Sequence, residues 1–120
     1  MFTIETDKRT AIITIAIQGF WTVTEVRTFA SELGRQAAAL REAGKEPCLF
    51  YDYTNAVIQS QDVVEALSHL ARSAPAQARR VAVYTEGMLA RRQARRVAAA
   101  SDKIQLFDNR AAALEWLAQP

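Results

Sequence analysis

The sequence predicts an α/β fold: a mostly parallel sheet of about five strands with an N-terminal antiparallel hairpin and four helices, in the order β-β-α-β-α-β-α-β-α. Three observations lead to this prediction. Short runs rich in β-branched and aromatic residues alternate along the chain with amphipathic stretches of helical spacing. The first two runs are separated only by the polar turn Asp7-Lys8-Arg9, which favours a hairpin. Every later strand is followed by a helix, and that alternation requires right-handed crossovers between parallel strands.

The first two strands are predicted over residues 2–7 and 10–18. The first alternates apolar and polar residues, which is typical of a half-buried strand. The second is the strongest strand of the chain, because isoleucines at positions 12, 13, 15 and 17 make both of its faces apolar. We therefore expect the second strand to be central and the first to be an antiparallel edge.

The first helix begins at a capping box, in which Thr22 and Glu25 have the spacing that satisfies each other's backbone donors. Its apolar stripe has spacings of three and four, and Gly44 is a suitable C-terminal cap. Gly34, inside the helix, costs about 1 kcal/mol relative to alanine, which indicates close packing against another backbone. The stripe consists of Val26, Phe29, Ala30, Leu33, Ala37 and Leu40.

The remaining elements alternate regularly. The third strand begins near Cys48 and ends in Asp52-Tyr53-Thr54, and the second helix begins at Ser60-Gln61-Asp62 and ends at Pro75. Further strands are predicted at 81–84 and 104–107, and further helices at 88–100 and 110–117. The C-terminal end of a buried strand that faces a helix N-terminus is where open α/β sheets place functional groups, so the stretch from Cys48 to Val63 is the first candidate site.

Length and composition narrow the function. A chain of 120 residues makes one domain, residues 1–120, and its single cysteine, Cys48, cannot form an internal disulfide. No apolar run is long enough to span a membrane and no leader pattern is present, so we expect a cytoplasmic protein. The net charge is +2, but six arginines and one acid between Arg79 and Arg96 give that segment +5 and leave −3 for the rest. The chain is therefore dipolar.

The order of elements over the whole chain resembles the STAS domains, the sulphate-transporter and anti-sigma-factor-antagonist group that includes stage II sporulation protein AA-like proteins. Those domains place an acidic or amide residue and then a hydroxyl residue at the end of the third strand, which Asp52-Tyr53-Thr54 matches. They also close with a phenylalanine strand end and an alanine- and leucine-rich helix, which residues 107–117 (FDNRAAALEWL) match.

The resemblance implies a regulatory site that this chain alters. Regulatory members carry Asp-Ser-Ser-Gly at the start of the second helix, where one serine accepts phosphate, whereas this chain reads Ser60-Gln61-Asp62-Val63. Gln61 and Asp62 fall on the two serine positions, although a shift of one or two residues would bring Ser60 there. We therefore expect no ordinary phosphoserine switch, and Asp62 is a candidate for a permanent charge at the helix N-terminus. The alternative is that Ser60 is an N-cap and Asp62 a favourable first-turn acid.

Several kinds of site are disfavoured by residue type. His69 is the only histidine and is expected on the solvent face of the second helix, so neither a catalytic triad nor a histidine-rich metal site is indicated. There is no Cys-x-x-Cys pair and no glycine-rich phosphate loop. We expect no enzyme activity, no cofactor and no metal.

Two further groups of residues suggest surfaces. Arginines line one face of the third helix, which predicts either a solvated face or a basic docking face for an acidic partner. Phe20 and Trp21 follow the second strand near Tyr53, where they would either wall an apolar pocket or pack in the core. The arginines of the basic face are Arg91, Arg92, Arg95 and Arg96.

These observations predict a non-enzymatic interaction module that binds a regulatory protein, with an acidic partner favoured by the basic face. The contact surface would be the second helix, the third helix and the loop between Tyr53 and Gln61. The alternative is a module that binds a small hydrophobic ligand or lipid. Nucleic acid is disfavoured because no aromatic residue is interleaved with the arginines, and a homodimer is left open. The candidate regulatory or binding residues are Asp52, Tyr53, Thr54, Ser60, Gln61 and Asp62.

Overall fold

The protein is described by a computed structural model that covers residues 1–55, 57–73, 78–99 and 102–120. In these residues the strands are β1 (Phe2–Asp7), β2 (Ile12–Ile17), β3 (Cys48–Asp52), β4 (Val81–Tyr84) and β5 (Ile104–Phe107). The helices are α1 (Val23–Glu42), α2 (Gln61–Ser73), α3 (Met88–Ala98) and α4 (Arg110–Ala118). The strands form one sheet in the order β1-β2-β3-β4-β5, in which β1 is antiparallel to β2 and every other pair is parallel. The predicted fold class and element order are confirmed.

The β1–β2 hairpin departs from the prediction at its turn. The carboxylate of Asp7 accepts hydrogen bonds from the backbone N–H groups of Arg9 (2.9 Å) and Thr10 (3.3 Å), and Ala11 has a positive φ of 60°. Because these amides are engaged in the turn, β2 begins at Ile12 rather than at residue 10. It lies between β1 and β3, so β1 is the predicted antiparallel edge, but β3 is the middle strand.

Helix α1 follows the sequence closely. The Thr22 hydroxyl accepts from the Glu25 N–H at 3.1 Å and the Glu25 carboxylate accepts from the Thr22 N–H at 3.3 Å, so the predicted capping box is present. Gly44 lies just beyond the helix with φ of +79°, a conformation that glycine adopts without steric cost. The buried residues of the helix are Val26, Phe29, Leu33, Ala37 and Leu40.

The close packing predicted at Gly34 is wrong. A Cβ atom at this position would meet no other atom within 4 Å, and the backbone φ is not in the left-handed region. The helix is therefore weakened there by the conformational freedom of glycine, with no close approach to offset the cost.

The core has two layers on opposite faces of the sheet. On one face Ile13, Ile15 and Leu49 pack with the apolar stripes of α1 and α2, and α3 lies beside α2 and against β5. On the other face Phe50 and Tyr84 pack with the buried residues of α4. Because side chains alternate along a strand, neighbouring residues of β3 and β4 serve different layers.

Helix α4 is attached to the rest of the molecule by two arginines. The Arg79 guanidinium donates to the carbonyl oxygens of Leu117 and Gln119, both at 2.6 Å, and Arg80 donates to that of Trp116 at 2.5 Å. Arg80 also lies over the Trp116 ring, 5.0 Å from its centroid. Cations at a helix C-terminus interact favourably with its dipole. These two arginines therefore cap α4 and do not belong to a docking face.

The remaining predictions concern the cysteine, the histidine, two helix ends and membrane-spanning helices. Cys48 is buried and His69 is exposed. The predicted ends of the second helix at Pro75 and of the third helix at Ala100 lie outside the described residues. Within the described part of the chain, no helix is both long and apolar enough to cross a membrane.

Gly34→Ala should raise the free energy of unfolding by about 1 kcal/mol, because alanine loses less conformational freedom in a helix and meets no obstacle here. The same change at Gly44, where φ is positive, should lower it by about 1 kcal/mol or more. Urea unfolding of the two variants measures both effects. A loss of stability on Gly34→Ala would mean that another group does contact this position.

Candidate functional site

The carboxyl edge of the sheet brings together the ends of the parallel strands and the starts of the helices that follow them. Strand β3 ends there with Asp52, which lies opposite Ala16 of β2 and Tyr84 of β4. Phe50 packs in the α4 layer, whereas Tyr51 and Tyr53 pack against the α1 and α2 layer. Asp52 and Tyr53 therefore follow one another in sequence but serve opposite faces of the sheet.

Asp52 forms the centre of a polar cluster on the α4 side. One of its oxygens, Oδ1, accepts from the Thr54 backbone N–H at 3.0 Å and from the Thr54 hydroxyl at 2.5 Å. The other, Oδ2, accepts from the Arg110 guanidinium at 2.6 Å. Arg110 also lies over the Phe50 ring, 5.0 Å from its centroid. The cluster fastens the end of β3 to the start of α4.

The electrostatics of this cluster favour an ionised carboxylate. Partial burial raises the pKa of Asp52, but the hydrogen bonds from Thr54 and Arg110 lower it by more, so the pKa lies below its ordinary value. Tyr84 is a further member of this edge, and its phenol donates a hydrogen bond to Glu86, which raises the pKa of the tyrosine. Asp52 is therefore a paired, charged carboxylate rather than a proton donor or acceptor near neutral pH.

Sequence reasoning did not identify Arg110, although a signal for it was present. Arg110 is the first residue of α4, and a cation at a helix N-terminus is opposed by the helix dipole. Such a placement indicates that an acid nearby compensates for it. The compensating acid is Asp52.

The start of α2 carries a second, separate polar cluster. Ser60 immediately precedes the helix, and its hydroxyl donates to Asp62 Oδ1 at 2.5 Å, an oxygen that also accepts from the Val63 N–H at 3.1 Å. These hydrogen bonds hold the pKa of Asp62 below its ordinary value, with the Ser60 bond as the largest cause. Gln61 accepts a hydrogen bond from Arg96 of α3 at 3.1 Å.

The structure thus divides the predicted candidate site into separate parts. Asp52 and Thr54 belong with Arg110 on the α4 side, whereas Ser60, Gln61 and Asp62 lie at the start of α2, on the other side of the sheet. Tyr53 belongs to neither group. It is half-buried in the α1 and α2 layer, where burial raises the pKa of its phenol.

Phe20 and Trp21 occupy different environments. Trp21 is buried and packs against Phe2 and Phe29, with its indole N–H donating to the Met1 carbonyl at 3.1 Å. Its ring begins a series of aromatic contacts that continues through Phe29 to Tyr51 and Tyr53. Phe20 is 77% exposed. Core packing, the alternative to an apolar pocket, therefore describes Trp21 and Tyr53, and Phe20 points to a surface.

The four arginines of α3 differ in their surroundings. Arg92 and Arg95 are exposed, and Arg96 is exposed while donating to Gln61. Arg91 is partly covered, and its NH1 nitrogen lies 3.8 Å from a carboxylate oxygen of Asp108. The predicted basic face therefore consists of Arg92, Arg95 and Arg96, hereafter called the basic rim, with Arg91 set apart.

The loop before α2 adds exposed apolar side chains that sequence reasoning missed. The Gln59 side-chain amide accepts from the Trp21 backbone N–H and donates to the Gly19 carbonyl, both at 2.9 Å, so it ties this loop to the loop that carries Phe20. Val57 and Ile58 are 38% and 43% exposed. Phe20, Val57 and Ile58 are hereafter called the apolar patch. Among the described residues no group of histidine, cysteine and acidic side chains has the arrangement of a metal site.

Comparison with known proteins identifies the family. A family model described as SpoIIAA-like matches residues 12–118. The chain belongs to the SpoIIAA-like family. No curated protein matches the chain, and two solved structures share the SpoIIAA-like fold at low sequence identity.

One of these structures is an uncharacterised protein of the DUF3478 family with a SpoIIAA-like fold from Shewanella loihica PV-4. It has a TM-score of 0.69 and 21% identity, and the match covers 98% of this chain and 92% of that one. The other is an anti-sigma factor antagonist from Mycobacterium paratuberculosis, with a TM-score of 0.68, 12% identity, and coverage of 99% and 96%. The resemblance to STAS domains inferred from the order of elements is confirmed.

Asp52→Asn should lower the free energy of unfolding by about 1–2 kcal/mol at pH 7, because it removes a charge-assisted pair with Arg110 that is only partly screened by solvent. The folded-state pKa of Asp52 is depressed, so its contribution is present above the ordinary pKa and is lost as the pH falls through the folded value. The difference between the variant and the unaltered protein should therefore stay nearly constant from pH 7 down to the ordinary aspartate pKa of about 4 and shrink as the pH falls below it.

Urea unfolding at a series of pH values measures this difference. Asp102→Asn is the matched control, because Asp102 is exposed and the chemical change is the same. If Asp52→Asn behaves like the control, or costs the same at every pH, then the Asp52–Arg110 pair does not contribute as described.

Proposed function

We propose that this single SpoIIAA-like domain, residues 1–120, is a non-enzymatic interaction module that binds a regulatory protein. The contact surface would combine α2, α3 and the loop that precedes α2. The observation that carries this proposal is the position of Gln59, whose hydrogen bonds tie the loop that carries Phe20 to the segment before α2 that carries Val57 and Ile58.

Membership of the SpoIIAA-like family supports a regulatory rather than an enzymatic role. One solved structure with this fold is an anti-sigma factor antagonist. The candidate polar residues are also suited to structural roles: Asp52 is paired with Arg110, and Asp62 is bonded to Ser60. Their carboxylates are held charged and hydrogen-bonded, which does not suit proton transfer near pH 7.

The apolar patch supports protein binding. Exposed apolar side chains that are grouped and bordered by polar residues are typical of interaction sites. Phe20 contributes a large, mostly exposed aromatic ring, and aromatic residues are enriched at the energetic centres of interfaces. The Gln59 hydrogen bonds fix the two loops relative to each other, which lowers the entropy cost of docking.

The basic rim supports an acidic partner. Arg96 reaches the first residue of α2, so the rim lies next to the end of the apolar patch. Complementary charge at the edge of an interface speeds association and fixes orientation. We therefore propose a partner whose contact surface is apolar at its centre and acidic along one side. Asp62 adds a fixed negative charge at the start of α2, which takes the place of a switchable phosphoserine.

Ile58→Ser and Arg95→Glu should each weaken the binding of a captured partner about tenfold or more. The first removes an apolar contact, and the second reverses a charge of the basic rim. Leu114→Ser and Arg9→Glu are matched controls, since Leu114 is exposed on α4 and Arg9 lies in the hairpin turn at the opposite edge of the sheet. Affinity of the purified partner for all four variants, measured by calorimetry at low and high salt, tests the surface, and added salt should weaken binding.

Two results would contradict the proposal. The first is that each test variant binds the partner as tightly as its control, Ile58→Ser as Leu114→Ser and Arg95→Glu as Arg9→Glu. The partner would then bind elsewhere. Native mass spectrometry that finds a retained lipid, with no protein partner captured at low salt, would favour the alternative of a small hydrophobic ligand.

A further inference from the structure

The turn between β4 and α3 contains a buried hydroxyl group with no hydrogen-bond partner. Thr85 follows β4 directly and is 0% exposed, and its backbone N–H donates to the Phe107 carbonyl at 3.1 Å. Its side-chain oxygen, in contrast, is buried without a partner. A buried polar group left unpaired is unfavourable and calls for an explanation.

The position of Thr85 in the strand determines which way its side chain points. Ala82 and Tyr84 pack in the α4 layer, and Val81 packs in the opposite layer. By the alternation of side chains along a strand, Thr85 points to the same side as Val81. Helix α3 packs on that side, against β5 and beside α2, and begins three residues later at Met88. The hydroxyl therefore lies on the side of the sheet that the start of α3 covers.

Arg91 provides a second donor without a partner in the same region. Its Nε atom is buried and makes no hydrogen bond. Its NH1 atom lies 3.8 Å from Asp108, which is longer than a hydrogen bond, and Asp108 directly follows the Phe107 that pairs with Thr85. The Arg91 backbone N–H donates to the Gly87 carbonyl at 2.8 Å, so this side chain begins one turn into α3.

The start of α3 itself offers further donors. The residue before the helix is Gly87, which has no side chain with which to cap it, and the first turn contains no acidic residue. The first N–H groups of a helix have no partner within the helix, and they lie at the positive end of its dipole. Backbone donors of this kind bind anions.

We propose that Thr85, Arg91 and the N–H groups at the start of α3 bind an oxyanion of the phosphate type. All three sets of groups can donate hydrogen bonds, and the unprotonated oxygens of a phosphate accept them, so the ligand would supply the acceptor that each donor lacks. This site uses Arg91 and the start of α3, whereas the basic rim of the protein-binding surface proposed above uses Arg92, Arg95 and Arg96 of the same helix.

Two acidic side chains lie near the site, and neither is held in a close pair with the site's donors. Glu86 is exposed and accepts a hydrogen bond from the phenol of Tyr84, whose ring packs in the α4 layer. Asp108 has a side chain that is 73% exposed and only a loose contact with Arg91. An entering phosphate would replace Asp108 as the partner of Arg91. Glu86 and Gly87 are exposed, so in this proposal the phosphate enters through the turn that they form beside Thr85.

Titration of ¹⁵N-labelled protein with inorganic phosphate, against chloride at constant ionic strength, tests the site. We expect saturable chemical-shift changes concentrated in residues 85–91. Thr85→Val and Arg91→Gln should each weaken binding at least tenfold, whereas Arg92→Gln, which removes the same charge from an exposed neighbour, should leave it unchanged. A parallel titration with a nucleoside monophosphate tells whether the site takes phosphate alone or as part of a nucleotide, and either result supports it.

Thermal unfolding separates loss of binding from loss of structure. Thr85→Val removes a hydroxyl that has no partner while it keeps the shape of the side chain, so the melting temperature without phosphate should be unchanged or higher. The proposal is overturned if neither phosphate compound shifts residues 85–91. It is also overturned if Thr85→Val and Arg91→Gln respond to phosphate as the unaltered protein does. An equal response would come from the general stabilisation that an excluded salt gives to a folded protein, not from binding at this site.

Discussion

The parallel pairing of β2 through β5 is the constraint on which the other features depend. It places the ends of four strands at one edge of the sheet, and it places the helices that follow them at the same edge. Side chains at the ends of these strands then alternate between an α4 layer and a layer formed by α1, α2 and α3. Groups that are adjacent in sequence are thereby separated by the thickness of the sheet.

This separation explains why similar residues have different roles. Asp52 faces α4, where it compensates a cation at the start of that helix, whereas Asp62 bonds to Ser60 at the start of α2. The arginines divide in the same way. Arg79 and Arg80 cap the end of α4, and Arg92, Arg95 and Arg96 remain at the surface beside α2. The arginines of this segment therefore divide into two that hold the end of α4 and three that are exposed beside α2.

The sequence was sufficient where local rules decide the structure. The capping box at Thr22, the stripe of α1 and the alternation of strands and helices were all predicted, because each depends on residues close together in the chain. The sequence was insufficient where contacts join distant residues. The pairing of Asp52 with Arg110 and the bridge from Gln59 to Gly19 join residues 58 and 40 positions apart, and no local pattern encodes them. Gly34 was misjudged because spacing alone does not reveal what surrounds a helix.

The footprint of a bound partner tests the central claim most directly, namely that binding uses the α2 and α3 side of the sheet while the Asp52 cluster is structural. Hydrogen exchange of the complex against the free protein measures that footprint. The account predicts slower exchange in residues 57–66, in residues 92–99 and around residue 20, with α4 unchanged. Slower exchange confined to α4 and residues 52–54, with residues 57–66 unchanged, would contradict it.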